Sequence, residues 1–159
     1  MSMVAKSEQE SNHELTFYTL AHSDPAFIHQ HAVDAFAAQT ADANTKPITV
    51  VFALIGLYLY IEKGFTGKQV QRAHMKMARY RKEWPKLPLP EARGAVRIAD
   101  VLAAGPGAER DAMIRCWCNA VWHAWQPCRN VIVALAKDEL GVDPSQDIRP
   151  PCRPPASRV

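Results

Sequence analysis

Pro47-Ile48-Thr49-Val50-Val51-Phe52-Ala53-Leu54-Ile55-Gly56-Leu57-Tyr58-Leu59-Tyr60-Ile61 contains the longest apolar run of the chain, Ile48 to Ile61, broken by one Thr and one Gly. A bilayer span needs roughly 20 apolar residues, and runs of about 10–14 are more often buried core helices. The stretch therefore reads as a core helix rather than a membrane anchor, and no membrane partner is expected. Pro47 suits the first helical position, where its missing N–H costs nothing. Gly64 is a natural residue to follow the C-terminus. The helix is apolar nearly all round, which marks it as the central one.

Outward from this helix, both flanks read as helical. Downstream, Thr66 to Gln69 matches a capping box, and a helix is predicted from Gly67 to about Trp84. Pro85, Pro88 and Pro90 then impose an extended connector. A short helix follows at Ile98 to Ala103, then a turn at Gly105-Pro106-Gly107. A long helix is expected from Ala108 to Leu140, kinked at Pro127 and ended by Gly141. Upstream, Asp42 to Lys46 form a polar loop. Asp24 and Pro25 predict a helix from Pro25 to about Thr40. Ser11 to Glu14 predicts a capping box and a first helix ending near Ala21. Residues 1–10 read as a loose polar leader. Residues 142–159 hold five prolines and read as a disordered tail. Strand signals are nearly absent. The expected fold is all-α: one domain at residues 11–141, an antiparallel bundle of four main helices plus short helices.

Length and composition agree with that. At 159 residues, with 48% hydrophobic and 22% charged residues, the chain is too apolar to be disordered and large enough to fold without staples. Its formal net charge of +3 does not by itself mark a nucleic-acid protein. Cys116, Cys118, Cys128 and Cys152 include no C-x-x-C pair and read as reduced thiols of a cytoplasmic protein. Met1 to Asn12 has no apolar core of the secretory kind.

Helical projection sorts the polar side chains, at about 100° per residue. In the second helix, Ile28, Ala32, Ala35 and Phe36 share one face. His29 and His31 lie near its edges, and Asp34 projects to the other side beside Gln30. His31 and Asp34, three apart, form an adjacent surface pair. Gln39 falls inside the apolar face and must find partners. It either bonds a nearby carbonyl at the helix end or presents a polar group to an internal pocket. In the long helix, Ile114, Trp117, Cys118, Val121 and Trp125 form a core stripe with Trp122 at its edge, and each buried indole N–H needs an acceptor. His123 faces solvent. In the fourth helix, Val70, Ala73, Met77 and Trp84 face inward. Lys68, Arg72, Arg79 and Lys82 gather opposite, with Lys76 beside them. Between Lys63 and Lys86 the only acid is Glu83. Such a face is either simply solvated or a contact for phosphate or an acidic partner.

No phosphate-binding glycine loop, nucleophile elbow or zinc-protease motif occurs. His29 and His31 are two apart, hence on opposite sides of a helix, and cannot both hold one metal. Cys128 with His29 would make a nucleophile–base pair if the fold brought them together.

The segment His29-Gln30-His31-Ala32-Val33-Asp34-Ala35-Phe36-Ala37-Ala38-Gln39 resembles the H-x-x-x-V-D-A-Y-x-x-Q-H segment of an uncharacterised bacterial family, DUF5946. The likeness continues through Leu54 to Leu57, Glu62 to Gly64, Trp84 to Pro90, Val96 to Leu102 and Val121 to Trp125. It covers about His29 to Cys128. The resemblance implies a polar site on a helical scaffold, with His, Asp and Gln from the second helix and histidines from later ones. This chain keeps His29, Asp34, Gln39, Trp122 and Trp125. Thr40, Ala53 and Cys128 stand where the family tends to carry histidine, so no metal and no other cofactor is expected.

Two functional classes follow. In the first, a small molecule binds or reacts in an intrahelical pocket, with His29 and Asp34 as the catalytic pair and Gln39, Trp122, Trp125 and Cys128 as ligand contacts. In the second, Lys68, Arg72, Arg79 and Lys82, on the basic face of residues 63–86, bind an acidic protein or a nucleic acid. The resemblance concentrates on the second helix and the tryptophan segment, which favours the first class.

Overall fold

A computed structural model describes residues 6–21, 26–80 and 83–145. Among these it contains seven α-helices, one short 3-10 turn and no strand. The helices are α1 (Glu8–Leu20), α2 (Ile28–Thr40), α3 (Pro47–Ile61), α4 (Gly67–Tyr80), α5 (Ile98–Ala103), α6 (Ala108–Ala124) and α7 (Arg129–Leu140). The all-α expectation holds, but the four-helix count does not.

Several boundaries differ from the sequence reading, each for a local reason. α1 begins one turn before Ser11. The S-x-x-E pattern occurs twice, and the chain uses Ser7 with Glu10: the Glu10 N–H donates to Ser7 Oγ and the Ser7 N–H to Glu10 Oε2. Ser11 is already inside the helical ladder, its N–H donating to Ser7 O. α2 starts at Ile28 because Phe27 takes a left-handed conformation (φ 48°). The expected cap, Asp24 with Pro25, lies outside the described residues. The capping box of α4 forms as expected between Thr66 and Gln69, but α4 ends at Tyr80. Trp84 follows the helix instead of riding on it, and meets Phe52 edge-on at 5.1 Å. The long helix expected at 108–140 is two helices. Pro127 removes a backbone donor, and the 3-10 turn at Gln126–Cys128 separates α6 from α7. α7 ends at Gly141 as expected. Of the expected disordered tail, residues 146–159 lie outside the described residues.

The core is built around two helices. α3 packs against α2, α4, α6 and α7, and α2 packs against α1, α3, α4 and α6. Nine residues of α3 are buried, matching its all-round apolar sequence. Six residues of α2 are buried as well, and His31, Asp34 and Gln39 are among them. α4 begins unusually close to the chain before α2. The Gly67 N–H donates to Ala26 O at 2.5 Å, and a Cβ on residue 67 would lie 1.8 Å from the Phe27 carbonyl oxygen, so only glycine fits.

Gln39 ties the C-terminal end of α2 to two other segments. Its Nε2 donates to Arg93 O (3.2 Å) and Val96 O (2.8 Å), and its Oε1 accepts from Trp117 Nε1 (2.9 Å). Beside it, Arg93 Nη1 donates to Ala41 O at 2.7 Å, and Trp125 Nε1 donates to Ala38 O at 3.2 Å. The last carbonyls of a helix lack intrahelical donors, and here a guanidinium and an indole supply them. Gln39→Leu keeps the volume but strands the Trp117 N–H and two carbonyls. It is expected to cost about 2–4 kcal/mol, since each stranded buried group costs roughly 1–3 kcal/mol. Urea denaturation measures this, and a loss under about 0.5 kcal/mol would show that the three bonds are dispensable.

Candidate functional site

The enclosure of α2 buries two polar side chains expected on the surface. His31 and Asp34 are each 3% exposed, because α3 and α4 cover the side of α2 on which Asp34 projects. A Cβ on residue 56 would lie 1.9 Å from Asp34 Oδ2, so the carboxyl fills the space a side chain of α3 would occupy. Gln30 Nε2 donates to Asp34 Oδ1 at 3.2 Å, while Oδ2 has no hydrogen-bond partner. Burial drives the Asp34 pKa well above the usual carboxylate range, against the smaller opposing effect of the Gln30 bond.

His31 lies flat on Tyr60, with ring centres 3.5 Å apart. Its Nδ1 has no hydrogen-bond partner. Burial, reinforced by the Arg115 charge, lowers its pKa to about 4. Cys118 is fully buried, and its thiol donates to His31 O at 3.5 Å. Burial, and next the nearby Asp34, push that thiol pKa up. The cluster is therefore an un-ionised imidazole and thiol beside a carboxyl that resists ionisation. Among the described residues, no group of three or more His, Cys, Asp or Glu side chains could hold a metal.

The remaining residues singled out in the sequence are held by separate contacts. His29 Nδ1 lies 2.8 Å from Thr19 Oγ1 on α1, and burial lowers its pKa. Trp122 Nε1 donates to Glu62 Oε2 at 2.8 Å, and the same carboxylate receives Arg129 through Nε at 2.9 Å. Burial pushes the Glu62 pKa up, but the Arg129 and Trp122 hydrogen bonds outweigh it, leaving the pKa lowered. The Cys128 thiol donates to Pro88 O at 3.7 Å. All three indoles of α6 and its C-terminal cap thus have acceptors, as burial requires. Thr40 turns its hydroxyl back to Phe36 O at 2.7 Å.

The second candidate site lies on the surface of α4. Val70, Ala73 and Met77 are buried, while Lys68, Arg72, Lys76 and Arg79 are exposed. Lys82 lies outside the described residues. No carboxylate pairs with these four cations among the described residues. The other described arginines are engaged within the fold. Arg93 serves the end of α2, Arg97 pairs with Glu8, and Arg110 donates to Leu102 O and Ala104 O. Arg115 lies over the Tyr60 ring, and Arg129 pairs with Glu62. Shallow grooves run along both sides of Arg72 and Lys76.

An all-α bundle with a neutral polar cluster inside its central helix pair and a free basic helix outside is the class of protein these features define. The chain belongs to the family of unknown function DUF5946, an uncharacterised bacterial family whose model matches residues 9–126, more than half of the chain. No curated protein and no solved structure matches it. No helix among the described residues is long and apolar enough to cross a membrane.

Sequence reasoning missed the cradle at Gly56, the stacking of His31 on Tyr60 and the roles of Arg93 and Glu62. A lone glycine inside an otherwise large-residue helix was the available signal, since it often marks close packing. Gly56→Ala should strongly destabilise the fold, and adding Asp34→Ala should recover most of the loss. Failure of the double variant to recover would mean that Asp34 is not what fills the cradle.

The pH dependence follows from the shift directions. Asp34 ionises more readily unfolded than folded, so its contribution to stability falls as pH rises above about 4. Asp34→Asn removes that loss. Its stability relative to wild type should rise with pH by up to about 1.4 kcal/mol per unit until Asp34 ionises in the folded state. His31 acts in the opposite sense: stability is lost as pH falls from about 6.5 towards its folded value of about 4. The two partly cancel in wild type. Denaturation curves of both proteins across this range test the signs, and parallel pH profiles would refute the assignment to Asp34.

Proposed function

We propose that this protein is an interaction module that binds an anionic partner through the exposed basic face of α4. One observation carries the reading: among the described residues, Arg72 and Arg79 are the two arginines with no partner inside the fold. Lys68 and Lys76 lie on the same helix and are also exposed. Four cations on one exposed face create a local positive potential that steers acidic partners and weakens with salt. α4 is anchored by Val70, Ala73 and Met77, so its outer residues can change without disturbing the core.

Arg72→Glu with Arg79→Glu is expected to reduce binding of labelled poly-glutamate at least tenfold in fluorescence anisotropy, with an unchanged melting temperature. Wild-type binding should weaken as salt is raised from about 50 to about 200 mM. Salt-independent binding that survives the double reversal would overturn the proposal.

A second reading has its own supporting observation. Asp34 Oδ2 and His31 Nδ1 are buried without hydrogen-bond partners on one helix, and native proteins hold few such groups. This supports a small polar molecule meeting the interior of α2, with Asp34 as hydrogen-bond donor and His29 as a candidate acid–base group nearby in sequence. Gln39, Trp122, Trp125 and Cys128 are engaged in their own internal bonds and take no part in this reading. Native mass spectrometry of freshly purified protein is expected to reveal a bound molecule that Asp34→Asn loses. A bare mass for wild type would count against this reading and leave the α4 proposal intact.

A further inference from the structure

The basic face of α4 is not uniformly polar. Between α4 and the end of α7 lies a notch of about 260 Å³. Its apolar walls are Phe65, Ala73, Leu140 and Val142, and Arg72 and Lys76 stand at its edge. On the other side of the same two cations is a second groove of about 330 Å³, formed with Met75 and Arg79. Met75 is 57% exposed, a large apolar side chain left open among cations.

We propose that this face receives an acidic, amphipathic polypeptide segment of another protein, with carboxylates on Arg72, Lys76 and Arg79 and one large apolar side chain in the notch between α4 and α7. The inference rests on the anionic-partner reading and names the partner's chemistry. The notch is smaller than the roughly 300–1,000 Å³ typical of small-molecule sites. It suits a side-chain anchor, as in the docking of amphipathic helices into grooves.

Charge complementarity selects the occupant. The chain's own C-terminal segment, residues 146–159, carries Arg149, Arg153 and Arg158 against Asp147, so the basic face repels it. A second copy would bring some acids that are already engaged, since Glu8, Glu14 and Glu62 are held by Arg97, Lys6 and Arg129 of the same chain, and sedimentation tests that occupant directly. A phosphate backbone would satisfy the cations but leave the apolar walls wet. An acidic segment with an apolar residue one helical turn from its carboxylates satisfies both.

The test uses the full chain and three labelled probes in fluorescence anisotropy. The first is a helical peptide with alternating turns of Glu and Leu, the second the same peptide with Leu replaced by Ser, and the third a single-stranded DNA of equal charge. The Leu-containing peptide is expected to bind at least about tenfold more tightly than either of the others, a difference of about 1.4 kcal/mol. Leu140→Ser with Val142→Ser should erase the preference for Leu while retaining the weaker, salt-sensitive binding of the Ser peptide. A melting curve checks that this variant is folded, and the wild-type comparison stands without it.

Equal binding of the Leu and Ser peptides would overturn the notch inference and leave the basic-face reading standing. Tighter binding of DNA would overturn a polypeptide partner with the same consequence. Self-association in sedimentation that Arg72→Glu and Arg79→Glu abolish would replace the foreign partner by a second copy. Binding of none of the probes would remove both the inference and the reading beneath it.

Discussion

The carboxamide of Gln39 is the constraint on which the arrangement of this bundle depends. It is buried at the end of a helix packed against four others, where a polar group has to find its partners within the fold. Its three hydrogen bonds fix three segments at once: α2, the connector around Arg93 and Val96, and α6 through Trp117. Arg93 and Trp125 complete the same junction by taking the free carbonyls at the end of α2. The proline-rich connector has no helical ladder of its own, and this junction gives its backbone carbonyls their donors. The segment that carries the family resemblance thus owes part of its pattern to folding.

Internal use of cations runs through the structure. Lys63 donates to the carbonyls of Asp143 and Pro144, and so holds the chain after α7 against the end of α3. Arg110 serves the carbonyls of the short α5 and lies over Tyr18. Glu62 collects Trp122 and Arg129, tying α6 and α7 together across the 3-10 turn. A positively charged surface distributed this way has few free guanidiniums. The contrast with α4, whose cations remain in solvent, gives that helix its functional interest.

The interior of α2 follows a different logic. Two helices approach closely where one carries glycine and the other a short acid, and the acid then loses its water. Desolvation favours the protonated form, so the site avoids a buried charge but leaves an oxygen without a partner. The neutral His31 and thiol of Cys118 obey the same rule.

The helical class, the central apolar helix α3, the cap of α4, the short α5, the stop at Gly141 and the buried tryptophan stripe were legible because each rests on local periodicity or end chemistry. The basic face of α4 was legible for the same reason, since an amphipathic helix separates its two sides within one segment. The break between α6 and α7 was half legible: Pro127 marked it, but whether a helix kinks or splits depends on what packs on either side. The start of α1 was ambiguous because the same capping pattern occurs twice, four residues apart. The fate of Asp34 and His31 lay beyond the sequence. Projection gives the angle of a side chain about its own helix, not which neighbours cover that angle. The sequence by itself therefore determined where helices form and which faces are apolar. Only the tertiary structure decided that α2 is covered by α4 as well as α3, that Gln39 bonds a distant connector, and which arginines remain free, because each depends on contacts between residues far apart in the chain.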